Sequence, residues 1–281
     1  MKISEIIDSG SGMLLSSGTE NGFREAQELL SFVVGRELSY IRVRGDETVD
    51  KRDEERFFSL IEKRLSGYPL QYILGEWSFY NLDRLFVGEG VLIPRPETEL
   101  LVDEALEFLK EKKDGTPEVF DLCSGSGCIA IAVALNAPWC HVTALEYSEK
   151  AFSYLERNAS LYNLDNLTLV KGDIFDGPPA EADLIISNPP YIRTEDLEGL
   201  QKEVHFEPEK ALDGGEDGLV FYRAIRDLWF SSLRSGGLVL MEIGEDQGDD
   251  LKCLFEDTSS RVEVKKDYSG LDRVVTAFRE A

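Results

Sequence analysis

From residue 118 onward, short apolar runs alternate with helix-length segments, and this alternation restricts the fold more than any other feature of the 281-residue chain. Strands are expected at 118–122, 141–146, 167–171, 183–187 and 238–243, each a short segment of strand length rich in apolar residues. Helices are expected at about 127–136, 149–162, 219–234 and 247–256. Repeated strand–helix–strand units need crossover connections, which a mainly parallel sheet covered by helices on both faces accommodates. Two last runs, Val262-Glu263-Val264 and Val274-Val275-Thr276-Ala277-Phe278, read as a closing antiparallel pair. The fold class is therefore α/β, with seven strands.

The segment before this region has a different pattern. Residues 1–70 read as helical, with Phe23, Ala26, Leu30, Val33 and Val34 on one face and Phe57, Phe58, Ile61 and Leu65 on another. Gly10, Gly12 and Gly18 punctuate the first segment. Residues 71–92 carry two β-rich runs, Tyr72 to Tyr80 and Leu82 to Val87, around a turn at Asn81. Ile93-Pro94-Arg95-Pro96-Glu97-Thr98-Glu99 then opens a helix through about Lys112, with early glutamates suited to a helix N-terminus.

Composition narrows the function. Hydrophobic residues make up 42% of the chain, enough for a packed core. No apolar run approaches the ~20 residues of a membrane span, and the first residues lack a signal peptide's apolar segment. The expectation is a cytoplasmic protein. Cys123, Cys128, Cys140 and Cys253 form no Cys-x-x-Cys pair, and the histidines are His141 and His205. A closed zinc site and a histidine-driven nucleophile are both disfavoured. The net charge is −24, a field that repels phosphate backbones and suits a cationic ligand.

Asp121-Leu122-Cys123-Ser124-Gly125-Ser126-Gly127-Cys128 runs from a strand through a glycine turn into a helix. Glycines permit a tight turn and close backbone approach, and the helix start offers N–H groups to an anionic group. Glu146 ends the next strand, where a carboxylate can hold ribose hydroxyls, and Asp173 follows the third. Gly125-x-Gly127-x-x-Ala130 also fits a dinucleotide fingerprint, so a nicotinamide-dependent dehydrogenase stays in view. Asp121, Asp173 and the end of the fourth strand favour S-adenosylmethionine.

That fourth strand runs into Asn188-Pro189-Pro190-Tyr191. The prolines fix φ and exclude helix from the residue before each. The stiff corner leaves the Asn188 amide and the carbonyls of Asn188 and Pro189 as acceptors beside an aromatic ring. Such a socket fits a planar group bearing an NH2, whether amide or nucleobase; the bland alternative is a proline-stiffened loop with a packing tyrosine.

On these residues the chain resembles the glutamine N5-methyltransferases of peptide-chain release factors, the PrmC/HemK family. The match covers roughly residues 68–281, with a similar helical domain before it. It rests on Pro69-Leu70-Gln71-Tyr72-Ile73-Leu74-Gly75, on Ile93 to Glu99, on the Asp121–Gly127 loop and on Asn188–Tyr191. Glu207-Pro208-x-x-Ala211-Leu212-x-Gly214-Gly215-x-Asp217-Gly218 and Glu242-Ile243-Gly244 extend it.

The resemblance implies a class I S-adenosylmethionine-dependent methyltransferase, Rossmann-like, at 93–281, behind a helical substrate-recognition domain at 1–70 and a β-hairpin linker at 71–92. It implies S-adenosylhomocysteine as product, no metal, and a release factor as protein partner, methylated on the Gln of its Gly-Gly-Gln loop. Neither nucleic acid nor a membrane is an implied partner. Carried over by position, Asp121, Leu122, Cys123, Ser124, Gly125, Glu146, Ile174 and Asn188 line the cofactor, to which the loop pattern adds Gly127 and Asp173. Asn188, Pro189, Pro190 and Tyr191 hold the glutamine, with Asn188, Pro189 and Tyr191 the catalytic set. The chain departs from the family at Glu146, often Asp there, and in the tail Tyr268-Ser269-Gly270-Leu271-Asp272-Arg273.

The main rival is a DNA or RNA exocyclic-amino methyltransferase, which should show a basic stripe with exposed aromatics. Residues 192–217, beside the socket, instead hold few Lys or Arg and many acids. A dehydrogenase would need a hydride-transfer acid or base near the same corner, and none stands out.

Overall fold

The computed structural model describes residues 1–113 and 115–280. It divides into two compact units, Met1–Glu76 with Gln201–Phe206, and Trp77–Leu200 with Glu207–Ala281. Residues 201–206 thus belong with the helical unit, although the sequence reading placed them inside 93–281.

The first unit packs α1 (Ile3–Ser16), α2 (Gly22–Val34), α3 (Leu38–Val43), α4 (Lys51–Leu65) and α5 (Leu70–Leu74) around Ile6, Leu14, Leu29, Leu30, Ile41, Phe57 and Ile61, all buried. Ala26, Leu30 and Val33 face inward as expected, but Phe23 is half exposed. Gly10 does not punctuate the chain. It lies inside α1, where a Cβ would stand 2.6 Å from the Phe57 ring, so glycine lets α4 approach closely. Arg64 is buried in the same unit, its Nε 2.6 Å from Glu25 and its second arm on Glu203. Tyr72 and Ile73, expected in a strand, lie in α5, a single turn that Gly75 ends at φ +75°. Short apolar runs do not distinguish the two states.

In the second unit, β1 (Glu76–Phe79) and β2 (Leu82–Phe86) form the hairpin. A 3₁₀ turn at Pro96–Thr98 leads into α6 (Glu99–Lys110). Glu99 accepts the Tyr80 backbone N–H at 2.7 Å, which fastens the hairpin's turn to the start of that helix. The main sheet contains β3 (Glu118–Leu122), β4 (His141–Glu146), β5 (Leu167–Lys171), β6 (Ala182–Ser187), β7 (Leu233–Glu242), β8 (Arg261–Lys266) and β9 (Asp272–Phe278) in the order β5-β4-β3-β6-β7-β9-β8. Pairing is parallel from β5 to β7 and antiparallel at β9 and β8.

Alternate residues of each strand serve opposite faces. Leu184, Ile186, Leu238 and Leu240 pack with α7 (Cys128–Asn136), α6 and the hairpin. Ile185, Val239 and Met241 pack with Tyr222, Ile225 and Trp229 and with Leu251 and Phe255 of α10 (Gly248–Phe255). α7 is buried from Cys128 to Ala134, consistent with its wholly apolar sequence. α8 (Glu149–Tyr162) matches its expected span.

The helix expected at 219–234 departs most. After α9 (Val220–Ala224) the chain widens to a π turn at Ile225–Trp229, then a 3₁₀ turn. Tyr222, Ile225 and Trp229 are all buried against the sheet, with Trp229 Nε1 donating to the Ile174 carbonyl at 2.7 Å. Strand β7 starts at Leu233, not 238, because its register on β6 jumps from Ala182–Leu233 to Leu184–Leu238. Ser235-Gly236-Gly237, turn-like in sequence, is the bulge that absorbs the jump, with Gly236 at φ +70°.

Candidate active site

Strand order reverses between β3 and β6: β4 and β5 lie to one side of β3, β6 and β7 to the other. In open α/β sheets the crevice outside the carboxyl ends of such strands is where ligands bind. The glycine loop leaves the end of β3, and Asn188 follows the end of β6.

The loop is held by its own backbone. Ser124 N–H donates to the Leu145 carbonyl at 3.0 Å and Gly127 N–H to Ser124 O at 2.7 Å. Gly125 and Gly127 take φ of +57° and +82°, and Cys123, unusually for a side-chain-bearing residue, +60°. A Cβ on Gly127 would lie 2.4 Å from Leu155, so α8 sets that glycine, whereas a Cβ on Gly125 would meet nothing nearer than 4.0 Å and would project into open space. Gly125 N–H donates to Glu146 Oε2 at 2.8 Å, and Glu146 Oε1 accepts from Ser148 N at 2.6 Å. Glu146 therefore locks the loop to β4, and burial raises its carboxyl above the ordinary range against these bonds.

Asp121 lies beneath the loop, fully buried. Its Oδ2 accepts from Ala130 N at 3.2 Å in the first turn of α7. Burial pushes its carboxyl up to about 7, opposed by bonds involving Ser124 and Ala130. Its Oδ1 has no hydrogen-bond partner among the described residues. Leu122 and Ile174 are core residues, and Cys123 is half-buried, its thiol pushed well up by burial and by the Glu146 and Asp121 carboxylates. Such a neutral thiol is a poor nucleophile. Asp173 accepts from Phe175 N at 3.0 Å and caps the turn at Ile174–Asp176.

The residues present fit S-adenosylmethionine. The space above Gly125 leaves room for a ligand, and the carboxylates of Glu146 and Asp173, with the unpartnered Asp121 oxygen, suit a ligand rich in ammonium and hydroxyl donors. Among the described residues no group of three or more His, Cys, Asp or Glu could hold a metal ion.

At the end of β6, Pro189 and Pro190 are buried while Asn188 and Tyr191 are half-buried. Asn188 Nδ2 lies 3.2 Å from Thr98 Oγ1, and Thr98 Oγ1 donates to Glu242 Oε2 at 2.6 Å. Tyr191 directs its hydroxyl to Glu242 Oε1 at 3.4 Å, and its ring packs against the Trp229 side of the sheet. Glu242 is buried at the end of β7, one step beyond the Ser187–Met241 pair. Burial pushes its carboxyl up to about 7, against the Thr98 bond and the charge of Arg273. Behind the corner, Gln247 Nε2 donates to the Tyr191 carbonyl at 3.0 Å. Gly214 packs so close that a Cβ would lie 2.8 Å from Tyr191 Cα.

The family described as the PrmC N-terminal domain matches residues 5–75, and the methyltransferase small domain matches 98–223. A release factor glutamine methyltransferase of Thermodesulfovibrio yellowstonii is 41% identical over 90% of this chain and 91% of its own. One from Geobacter sulfurreducens is 38% identical over 97% and 95%. The chain belongs to the release factor glutamine methyltransferase family. The catalytic domain of hMettl16, solved in complex with a 3'UTR hairpin, shares the fold at TM-score 0.56 and 16% identity, over 69% of this chain and 74% of that one.

Within this family frame, the structure brings Asp121, Glu146 and the glycine loop together at β3 and β4, and Asn188 to Tyr191 at β6. Thr98, Glu242 and Gln247 are the site neighbours to which sequence reasoning gave no role at the socket. The available signal was a carboxylate closing the strand beside the one that ends in Asn188. Arg95 ion-pairs with buried Glu207, whose Oε2 accepts from Ile93 N at 2.9 Å. Glu207 is thus the clasp between two family segments. His205 is exposed in the helical unit, and Arg42 donates to Gln27 at 3.2 Å.

Proposed function

We propose that the protein transfers a methyl group from S-adenosylmethionine to the side-chain amide nitrogen of the Gly-Gly-Gln glutamine of peptide-chain release factors, acting in the cytoplasm. The observation that carries this reading is the proline-stiffened Asn188 corner set beside the glycine loop across the switch point, in a chain of this family. The cofactor, when bound, supplies an electrophilic methyl on a sulfonium. Glu146 would hold its ribose hydroxyls and Asp173 its adenine or ribose, while Asp121, Leu122, Cys123, Ser124, Gly125, Gly127 and Ile174 would form its seat.

An amide nitrogen is a weak nucleophile because its lone pair is shared with the carbonyl. Asn188 Oδ1 and the Pro189 carbonyl accept its two N–H groups, Pro190 keeps the corner rigid, and the Tyr191 ring forms the wall beside the amide plane. The nitrogen's proton becomes acidic only as the new N–C bond forms, so no strong base is needed beforehand. Positioning supplies most of the acceleration, with effective molarities of ~10⁵–10⁸ M attainable in well-oriented systems, aided by fixed dipoles around the developing charge.

The test is label transfer from methyl-labelled S-adenosylmethionine to a release factor, with and without its loop Gln, mapped by mass spectrometry. Label is expected on that Gln alone, and Asn188→Ala is expected to abolish it while S-adenosylhomocysteine binding falls less. Label on a nucleic acid, or label that survives removal of the Gln, overturns the reading.

A further inference from the structure

Thr98, Glu242 and Asn188 come from three separate segments and meet behind the socket. Thr98 and Glu242 are each 2% exposed, so water does not replace their bonds. In its charged form, which prevails above about pH 7, the Glu242 carboxylate can only accept hydrogen bonds. The single hydroxyl proton of Thr98 is therefore committed to Glu242 Oε2 at 2.6 Å, which leaves Thr98 Oγ1 only lone pairs to offer Asn188. Of the two ends of the Asn188 amide, only the NH2 can complement those lone pairs, and it stands 3.2 Å away.

We infer that Thr98 and Glu242 are positioning residues that fix the orientation of the Asn188 amide, turning its carbonyl oxygen toward the substrate and its NH2 away. The inference rests on the glutamine-methylation reading and deepens it. An Asn amide is nearly symmetric in shape, and a flip by half a turn exchanges acceptor for donor. Flipped, Asn188 would set its own NH2 against the substrate's NH2, donor against donor. Sterics alone cannot prevent this; a one-way chain of donors can. The chain runs from Asn188 N–H to Thr98 O–H to the Glu242 carboxylate, and the charge at its end gives it direction. Arg273 from β9 faces that carboxylate and favours its charged form, while Glu97 opposes it; Tyr191 directs its hydroxyl to it, Tyr222 donates to the Glu242 main-chain carbonyl, and the Cys128 thiol also feels its charge.

The test uses the full chain, a release factor as substrate and methyl-labelled S-adenosylmethionine. Thr98→Val keeps the volume and removes the hydroxyl. Its kcat is expected to fall at least tenfold, with S-adenosylhomocysteine affinity by calorimetry within twofold of wild type. Thr98→Ser restores the hydroxyl and is expected to recover kcat to within about threefold, a rescue that a purely packing role would not give. Should Thr98→Val not fold, the pair Thr98→Val with Glu242→Met removes the stranded carboxylate while still depriving Asn188 of its acceptor, and the same kcat loss is expected. A wild type that labels its glutamine beside a folded variant within twofold of it overturns this inference alone, as does equal loss in Thr98→Val and Thr98→Ser. A wild type that leaves the glutamine unlabelled overturns the functional reading and this inference together.

Discussion

Replacing Gly214 with alanine would press a methyl group into the backbone of the socket. The new Cβ would stand 2.8 Å from Tyr191 Cα, 2.9 Å from the Pro190 carbonyl oxygen and 2.9 Å from that of Gly218. Ordinary contact lies at 3.4–4 Å, so these atoms must retreat by roughly 0.5–1.2 Å. All three are main-chain atoms, and none can escape by changing a rotamer. Gly214 N–H also bonds the Ile192 carbonyl at 2.8 Å, and Gln247 holds Tyr191 O from another side, so the strain passes into the corner itself. Overpacking of this kind costs ~1–3 kcal/mol, or about 2–10 °C in melting temperature for a chain of this size. A displacement near 1 Å at a reacting centre costs on the order of 10²-fold in rate. The assay is kcat for release-factor methylation beside calorimetric melting and S-adenosylhomocysteine affinity. The expected result is a large kcat loss with affinity nearly unchanged, since the β3 loop is untouched. Gly12→Ala is the control. It lies on the exposed side of α1 with nothing within 4 Å, and should gain ~0.5–1 kcal/mol from helix propensity. A Gly214→Ala protein with wild-type kcat would refute the steric argument.

Two further outcomes are expected. Asp121 and Glu242 titrate near 7 when folded, against ordinary values of 3.8 and 4.5. The folded state then binds more protons than the unfolded one between those limits, so their contribution favours folding increasingly as pH falls from about 7.5 toward 5, and levels off below the unfolded values. Denaturant unfolding of the ligand-free protein at pH 7.5 and 5.5, compared with Asp121→Asn/Glu242→Gln, should show the variant's pH slope smaller by on the order of 1–3 kcal/mol; identical slopes would contradict the burial argument. Arg64→Ala strands the Glu25 carboxylate, whose side chain is only 14% exposed. It should destabilise the helical unit by ~3 kcal/mol, read by chemical denaturation, and a loss below ~1 kcal/mol would show that water replaces the guanidinium.

What could be read from the sequence was what is encoded locally. The Asp121–Gly127 turn and the Asn188–Tyr191 corner are each set by adjacent residues whose backbone preferences are strong, so both stood out before any tertiary contact was known. Strand spans such as His141–Glu146 followed from short segments rich in apolar residues between helix-length ones. Thr98 and Glu242 are 144 residues apart in the chain, and no periodicity announces that pairing. Tyr72 and Ile73 misled because a two-residue apolar cluster fits either state until Gly75 is recognised as a left-handed helix end. The π turn at Ile225 and the bulge at Gly236 are local departures from a regular helix and a regular strand, and hydrophobic periodicity reports only the regular repeat.

The sheet order has a consequence for synthesis. On the ribosome β8 is made before β9, yet in the sheet β9 separates it from β7. Until Phe278 has emerged, β7 keeps an open edge and β8 has no partner there. The nascent sheet is thus exposed to wrong pairing for as long as translation of this stretch lasts. β8 carries Arg261, Glu263, Lys265 and Lys266, and charges along a waiting strand are a known defence against such association. Because Arg273 reaches the Glu242 carboxylate from β9, the charge setting of the socket forms only after the other six strands of the sheet have been made.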